Sequence, residues 1–397
     1  MAGSQDNSSR GVRLTRARPH RRERRCHAGT RPAVRVLFSG YAHVHFVCFR
    51  PLYERLVALP DVELFVSGGL REKAPDGYAY DVQAMYAPFG IPQSRMLTVE
   101  ELANEDFDVL FAANSKLILP RRVDTRIQIF HGISFRNRAV RPANMACDHY
   151  FMAGPYMHRR FVEAGLFQEN DARALPIGFM KTDRLVNGDL DRQAVLDRYG
   201  LDRTRPIILY APTGQKHNSL ERTGEQVIRE LKSTGLYNLL IKLHDHPRNR
   251  QIDWRDRLRK FEDDQCKVVQ ELDVVPLLFS ADLLMSDASS VTNEFALLDR
   301  PMIYLDVPEL MERARAVKDS MLDLERWGRR GGIVARDGDD IVALVESSLC
   351  NPMAHSDERR AMVRDLFYNP GEATSAAMTW LGRQIGVGAE RLLGAAR

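Results

Sequence analysis

At 397 residues, 44% of them hydrophobic and 28% charged, the chain has the composition of a soluble globular protein and exceeds one ordinary core, so two domains are expected. No apolar run approaches about 18 residues and the N-terminus lacks the apolar stretch of a secretory signal, which argues against a membrane-spanning or secreted chain. The net charge of +4 is unevenly held: nine arginines against Asp6 and Glu23 put +7 into residues 1–32, leaving −3 on the other 365.

That basic stretch (RLTRARPHRRERR) has little to bury and is expected to be a disordered arm, either simply solvated or held against anionic lipid or nucleic acid. From residue 33 the pattern turns α/β. Apolar runs at 34–39, 62–66, 107–112, 126–130 and 148–152 read as buried strands, and 49–59 and 156–164 as helices ended by Pro60 and Gly165. The interval 70–100, rich in Pro, Gly and Tyr, reads as irregular. A short strand and an N-cap-like Thr182-Asp183 lie within 174–185, and a helix at 191–199 falls in the linker between domains, 178–203. Alternation then restarts, with strands at 206–210, 238–243 and 267–269 and helices at 225–233 and 254–261. Beyond residue 306 come a strand at 332–335, a helix at 339–349, and a helical tail over 355–380 broken at Asn369-Pro370-Gly371. The expected architecture is two Rossmann-like α/β domains, 33–185 and 204–350, facing across a cleft, with C-terminal helices at 351–397 placed to cross back to the first. Five scattered cysteines (Cys26, Cys48, Cys147, Cys266, Cys350) without C-x-x-C spacing suit neither a disulfide framework nor a zinc site, and fit a reducing cytoplasm.

The stretch DVVPLLFSADLLMSDASSVTNEFALLDRPMIYLD (273–306) organises the rest. Its runs LLFSADLLM and MIYL have strand length, and between them Ser286-Asp287-Ala288-Ser289-Ser290 precedes a helix over 291–298 that stops before Pro301. In a βαβ unit this polar turn lies at the carboxyl end of the first strand, where open α/β sheets bind ligands. Free N–H groups, two hydroxyls and a positive helix end suit a phosphate, although an isolated S-D-x-S-S is more often a plain helix cap.

Two further polar clusters follow strands: His131-Gly132-Ile133-Ser134 and His244-Asp245-His246-Pro247. On one cleft, a neutral histidine accepts a hydroxyl proton and a protonated one balances phosphate charge. Read singly, His131 serves equally as a satisfied core histidine; Gly132 behind it permits close approach or a turn with positive φ. His244 and His246 share a strand face but lack a third ligand, so no metal is expected. His43 and His45 (GYAHVHF) repeat that spacing in a loop that is either acceptor-facing or merely polar. Lys242, near the cleft end of its strand, either pairs with phosphate or points outward. No G-x-x-x-x-G-K-[ST], G-x-G-x-x-G or G-x-S-x-G is present, which removes support for P-loop, dehydrogenase and α/β-hydrolase chemistry.

In this order the clusters resemble the CDP-glycerol glycerophosphotransferase family. The resemblance covers residues 105–305 and rests on His131-Gly132, Pro176-Ile177-Gly178 with Thr182-Asp183-Arg184-Leu185, YAPT at 210–213, His246-Pro247, and SDASSVTNEFALLDRP at 286–301. It implies a GT-B fold, with the nucleotide donor held mainly by the second domain, in enzymes that build teichoic-acid-type polyol-phosphate polymers at the cytoplasmic membrane face. It implies His131 as base toward the acceptor hydroxyl and His246 beside the donor diphosphate. Ser289 and Ser290 are then phosphate-holding residues with Asp287 before them, and Glu294 is an acidic position on the donor. Beside what the resemblance implies, Thr213 after its strand and Lys242 near the cleft end of its own are expected on the donor side. The family continues H-G-T-P-x-K, whereas here Ile133-Ser134-Phe135-Arg136 follows, so Arg136 stands for the lysine on the acceptor side. His244 stands where an arginine is common before x-H-P. Both departures bear on the identity of the transferred group.

The expected reaction moves a glycerol-phosphate or related polyol-phosphate unit from a CDP-activated donor to a hydroxyl of a lipid-linked or polymeric envelope acceptor, without metal, cofactor or nucleic acid. The expected location is cytoplasmic, with the arm at the inner membrane face. A GT-B glycosyltransferase using a nucleotide-sugar donor and a UDP-sugar 2-epimerase share the fold; the epimerase needs first-domain carboxylates beyond Asp106 and Asp108. A catalytically silent nucleotide- or polymer-binding protein is the reading from another class, against which His131 and His246 together weigh.

Overall fold

Runs such as VRVLFSG and IILY are apolar on both faces, and they form parallel strands covered on both sides by helices. The structure, a computed structural model, describes residues 33–385 except 76, 114–116, 134, 136, 246–248, 250, 288, 318–321 and 324–325. The arm 1–32, Arg136 and His246 therefore lie outside the described residues. In the first half β1 (Val34–Gly40) and β2 (Val62–Gly68) are followed by an antiparallel hairpin, β3 (Leu70–Ala74) with β4 (Gly77–Asp81). Then come β5 (Met96–Leu97), β6 (Asp106–Ala112), β7 (Arg122–Ile129), β8 (His149–Phe151) and β9 (Ala174–Leu175). Hairpin apart, these make one seven-stranded sheet in the order β5-β2-β1-β6-β7-β8-β9.

The second half contributes β10 (Ile207–Tyr210), β11 (Asn238–Lys242), β12 (Cys266–Val269), β13 (Leu283–Ser286), β14 (Met302–Leu305) and β15 (Ile333–Ala335). Their order is β12-β11-β10-β13-β14-β15, all parallel. Strand order reverses at β1/β6 in the first sheet and β10/β13 in the second, and such switch points open crevices at the carboxyl ends of their strands. One apolar cluster runs from Phe38 and Phe111 through Phe179 and Met180 to Leu209 and Leu284, so the two halves share a core. A second lies beneath the helix Glu225–Thr234.

The C-terminal helices pack on the first domain. The N-terminus of Ala373–Ile385 rests on Asp183, whose carboxylate accepts from Ala373 N, Thr374 N and Thr374 Oγ1 at 3.1, 2.7 and 2.6 Å. Further along, Trp380 meets the His149 ring edge-on at 4.8 Å. Asp183 thus caps a helix 190 residues away rather than its own, which Thr182 does not cap either: Thr182 Oγ1 donates to Phe179 O. Three other expectations are corrected. Pro276 and the Asp273 carboxylate, which accepts from Val275 N at 3.0 Å, start a helix at Val275–Ser280, so only the end of LLFSADLLM is strand. Residues 70–100 hold the β3–β4 hairpin and short helical turns. The helix expected at 49–59 begins at His43, because Phe46, Phe49, Tyr53 and Leu56 bury one face at helical spacing.

Candidate active site

The first switch point places His131. It lies two residues past the end of β7, which pairs with β6, and His131 Nδ1 stands 2.6 Å from the carbonyl of Ala113, just past the end of β6. A carbonyl only accepts, so Nδ1 carries the proton and the Nε2 of the neutral ring is the basic nitrogen. The residue opens to the cleft, yet the surrounding protein withdraws solvent from the ring and lowers its pKa. The Ala113 carbonyl opposes that shift, while the charges of Lys181 and Arg141 reinforce it. A neutral imidazole with one fixed nitrogen and one basic nitrogen is suited to general-base work.

Gly132 matters for approach rather than for turning, since its φ is not positive. A Cβ there would lie 3.3 Å from Ser290 Oγ, so the absence of a side chain lets the first domain come up to the serine turn of the second. Ser290 itself does not cap its helix, Val291–Phe295, with its side chain, and among the described residues its hydroxyl has no partner. Ser289 Oγ accepts weakly from Val291 N at 3.5 Å.

The second switch point is laced by Asp287. One carboxylate oxygen accepts from Thr213 N at 2.9 Å; the other accepts from Ser219 N and Ser219 Oγ, both at 2.9 Å. Ser286 Oγ donates to Ala211 O at 2.6 Å. Asp287 and Thr213, expected on the donor, are thus buried parts of the frame that joins the ends of β10 and β13. Their hydrogen bonds leave the hydroxyls of 289 and 290, not the carboxylate, for the cleft.

Glu294 is likewise committed. Its carboxylate meets the Lys181 ammonium at 2.8 and 3.0 Å, with side-chain exposures of 1% and 4%. Burial is the largest single influence and pulls the Lys181 pKa down, but the charge and hydrogen bond of Glu294, together with the fields of Cys48 and Asp273, outweigh it for a net rise. Next to Glu294, Asn293 Nδ2 donates to Ile133 O at 2.7 Å. Two consecutive residues of the short helix are therefore gripped by the first domain, which sets the serine turn against His131-Gly132. Lys181 went unassigned in the sequence although it lies inside PIGFMKTDRL; a lysine in an otherwise apolar run was the signal.

Of the residues expected on the acceptor side, His45 lies on the helix His43–Val57, not in a loop, and is buried. Its ring packs on that of His131 at 4.9 Å, and its Nδ1 accepts from Tyr41 N at 3.1 Å. His43 turns away: its Nε2 lies 3.1 Å from the Ala84 carbonyl. Lys242, expected on phosphate, is buried and held by Asp245 Oδ1 at 2.6 Å and Leu243 O at 2.8 Å, because the chain bends back after β11. Among the described residues no group of His, Cys, Asp and Glu could hold a metal ion, and no helix is long and apolar enough to cross a membrane.

Two Rossmann-like domains meeting at their switch points define a GT-B-type fold. The sequence profile described as CDP-Glycerol:Poly(glycerophosphate) glycerophosphotransferase matches residues 112–377, and the chain belongs to that family. It is similar to the teichoic acid glycerol-phosphate primase of Bacillus subtilis, 32% identical over 163 residues that cover 40% of this chain and 40% of that protein. The teichoic acid ribitol-phosphate primase of Bacillus spizizenii is 26% identical over 289 residues, 66% of this chain and 69% of that one. The match to the glycerol-phosphate primase thus spans less than half of that relative's length. The wall teichoic acid polymerase TagF superposes with a TM-score of 0.60 at 18% identity over 91% of this chain and 90% of its own. A UDP-N-acetylglucosamine 2-epimerase does so with 0.54 at 14% identity over 90% and 97%. At such identities the superpositions speak to the fold alone, and one fold hosts both chemistries.

Proposed function

We propose that the chain transfers a polyol-phosphate unit, glycerol phosphate in the first instance, from its CDP-activated form to a hydroxyl of an envelope polymer or its lipid-linked precursor. The observation that carries this reading is His131: one ring nitrogen bound to Ala113 O, the other basic, and next to it Gly132, which faces a Ser290 hydroxyl that has no partner among the described residues. Family membership and the glycerol-phosphate primase relative support the donor class. A variant of TagF was also soaked with CDPG.

In this mechanism His131 Nε2 takes the proton of the acceptor hydroxyl as its oxygen attacks the β-phosphorus. The bond from that phosphorus to the bridging oxygen breaks in line, and CMP departs carrying the electron pair. Ser289, Ser290 and the N–H groups of the following turn meet the phosphate charge, and the family resemblance assigns His246 of the H-P motif to the same diphosphate. Asp287, Thr213, Glu294 and Lys181 act by holding these groups in register, His45 by supporting the His131 ring. The basic arm, residues 1–32, holds the protein to an anionic membrane face where such acceptors lie.

The test is direct. The purified chain is incubated with CDP-glycerol, CDP-ribitol or a panel of UDP-sugars plus lipid-linked acceptor, and released CMP or UDP is measured. CMP release that depends on acceptor is expected; release of UDP alone sinks the polyol-phosphate reading in favour of sugar transfer or epimerisation. Deleting residues 1–32 should lower sedimentation with anionic liposomes at low salt, and an unchanged bound fraction removes the membrane role.

A further inference from the structure

Between β2 and β5 the chain leaves the sheet to form the hairpin β3–β4, whose base is fixed to the end of β1. Gly69 N donates to Gly40 O at 3.0 Å, and a Cβ on Gly68 (φ +85) would lie 2.1 Å from that same oxygen. The hairpin is thereby set against Gly40-Tyr41, the segment leading into the helix that carries His45. Its register pairs Arg71 with Tyr80 and Lys73 with Tyr78, so strand alternation places these four on one face and Glu72 and Asp81 on the other. Among the described residues the first face thus bears two cations and no carboxylate.

Arg71 is held there by rings. Its guanidinium carbon lies 4.2 Å from the ring centroid of Tyr41 and 4.6 Å from that of Tyr78. Among the described residues no carboxylate pairs with Arg71 or Lys73, whereas Arg50, Arg121, Arg126 and Arg159 of the same domain are all ion-paired. Stacking occupies the faces of a guanidinium and leaves its N–H edge for an anion in the plane. Inward from Arg71 the contacts continue: Tyr41 to His45 at 4.7 Å, then His45 to His131 at 4.9 Å. Arg71 thus stands three contacts from the proposed base, on the domain opposite the serine turn.

We infer that Arg71, held between Tyr41 and Tyr78 with Lys73 on the same hairpin face, binds a phosphate group of the acceptor while the acceptor's reacting hydroxyl lies at His131. This rests on the proposed transfer reaction and adds to it the residue that selects an acceptor already carrying phosphate ester, as a poly(glycerophosphate) does. That phosphate comes either from the polymer's phosphodiesters or from the diphosphate of a lipid linkage.

The experiment uses the full chain and its Arg71→Ala, Arg71→Lys and Tyr78→Leu variants, each first matched to the unsubstituted protein by thermal midpoint. Binding needs no turnover, so calorimetric titrations are run with lipid-free oligo(glycerol phosphate), with polyprenyl diphosphate in detergent, and with inorganic phosphate. Loss of charge-assisted bonds to phosphate should weaken oligomer binding about 10- to 100-fold in Arg71→Ala. Arg71→Lys should recover only part of it, because an ammonium lacks the planar fork. Arg71-dependent binding of the polyprenyl diphosphate instead assigns the phosphate to the lipid linkage. Binding of neither, or binding indifferent to all three variants, overturns the inference. In turnover assays the KM for a phosphate-bearing acceptor should rise at least tenfold against that for a phosphate-free polyol acceptor. A protein that binds oligomer through Arg71 yet transfers nothing from CDP-glycerol faults the transferase reading. A transferase whose acceptor KM ignores Arg71 faults this site.

Discussion

Replacing Lys181 by methionine should loosen the joint between the domains more than any surface charge change. The ammonium and the Glu294 carboxylate lie 2.8 Å apart at its closest contact, with 4% and 1% of their side chains exposed, so neither charge has water to fall back on. Removing one partner of such a buried pair costs about 3–5 kcal/mol, because the other is left uncompensated. Taking a urea slope of about 3 kcal/mol per molar, the unfolding midpoint should fall by about 1–1.7 M. Glu294→Leu should cost less at high pH, where the orphaned lysine can shed its proton. In the intact pair the raised Lys181 pKa means the stabilisation is complete below the usual lysine value of about 10.4 and is lost as pH rises through the shifted value. The double variant Lys181→Met/Glu294→Leu removes both charges and should be more stable than Lys181→Met alone. A second readout is Cys48, buried within the field of this pair with its thiol pushed up to about 12. Maleimide labelling of Cys48, followed by peptide mass spectrometry, should speed up in Lys181→Met. Strictly additive single-variant costs in urea, or unchanged Cys48 labelling, would refute the reasoning.

His131→Ala should lower transfer about 10²- to 10⁴-fold, the usual worth of a positioned base. The unsubstituted enzyme's rate should fall as pH drops through the depressed His131 pKa, so an acid limb lying above about 6.5 would contradict the assignment. Asp287→Ala strands the buried N–H groups of Thr213 and Ser219 and should cost about 2–3 kcal/mol in urea unfolding, with a loss under about 1 kcal/mol counting against the frame. Asp183→Ala uncaps the helix Ala373–Ile385 and should cost about 1–2 kcal/mol; it should also speed limited proteolysis near Asn369, and an unchanged cleavage rate would show the helix held by other means.

Much of the α/β alternation was legible along the chain because buried parallel strands are short, apolar and closed by polar turns. The sequence by itself determined that three polar clusters sit at strand ends, and their order pointed to the family, since spacing between motifs survives where individual residues drift. It also marked His131 and the serine turn, whose chemistry is local: a ring that titrates and hydroxyls before a helix. Only the tertiary structure decided what the charged residues between them do. Asp287, Asp183, Glu294 and Lys242 look alike in sequence as polar residues near strand or helix ends, yet each is bound to a partner, three of them to residues at least 68 positions away. A carboxylate at a strand end is free for substrate or consumed by the frame according to which donors the fold brings within about 3 Å, and sequence spacing carries no record of that distance. The serine turn keeps its place at the cleft for the same reason: the first domain grips Asn293 and Glu294, and thereby presents Ser290 to Gly132, the residue next to His131.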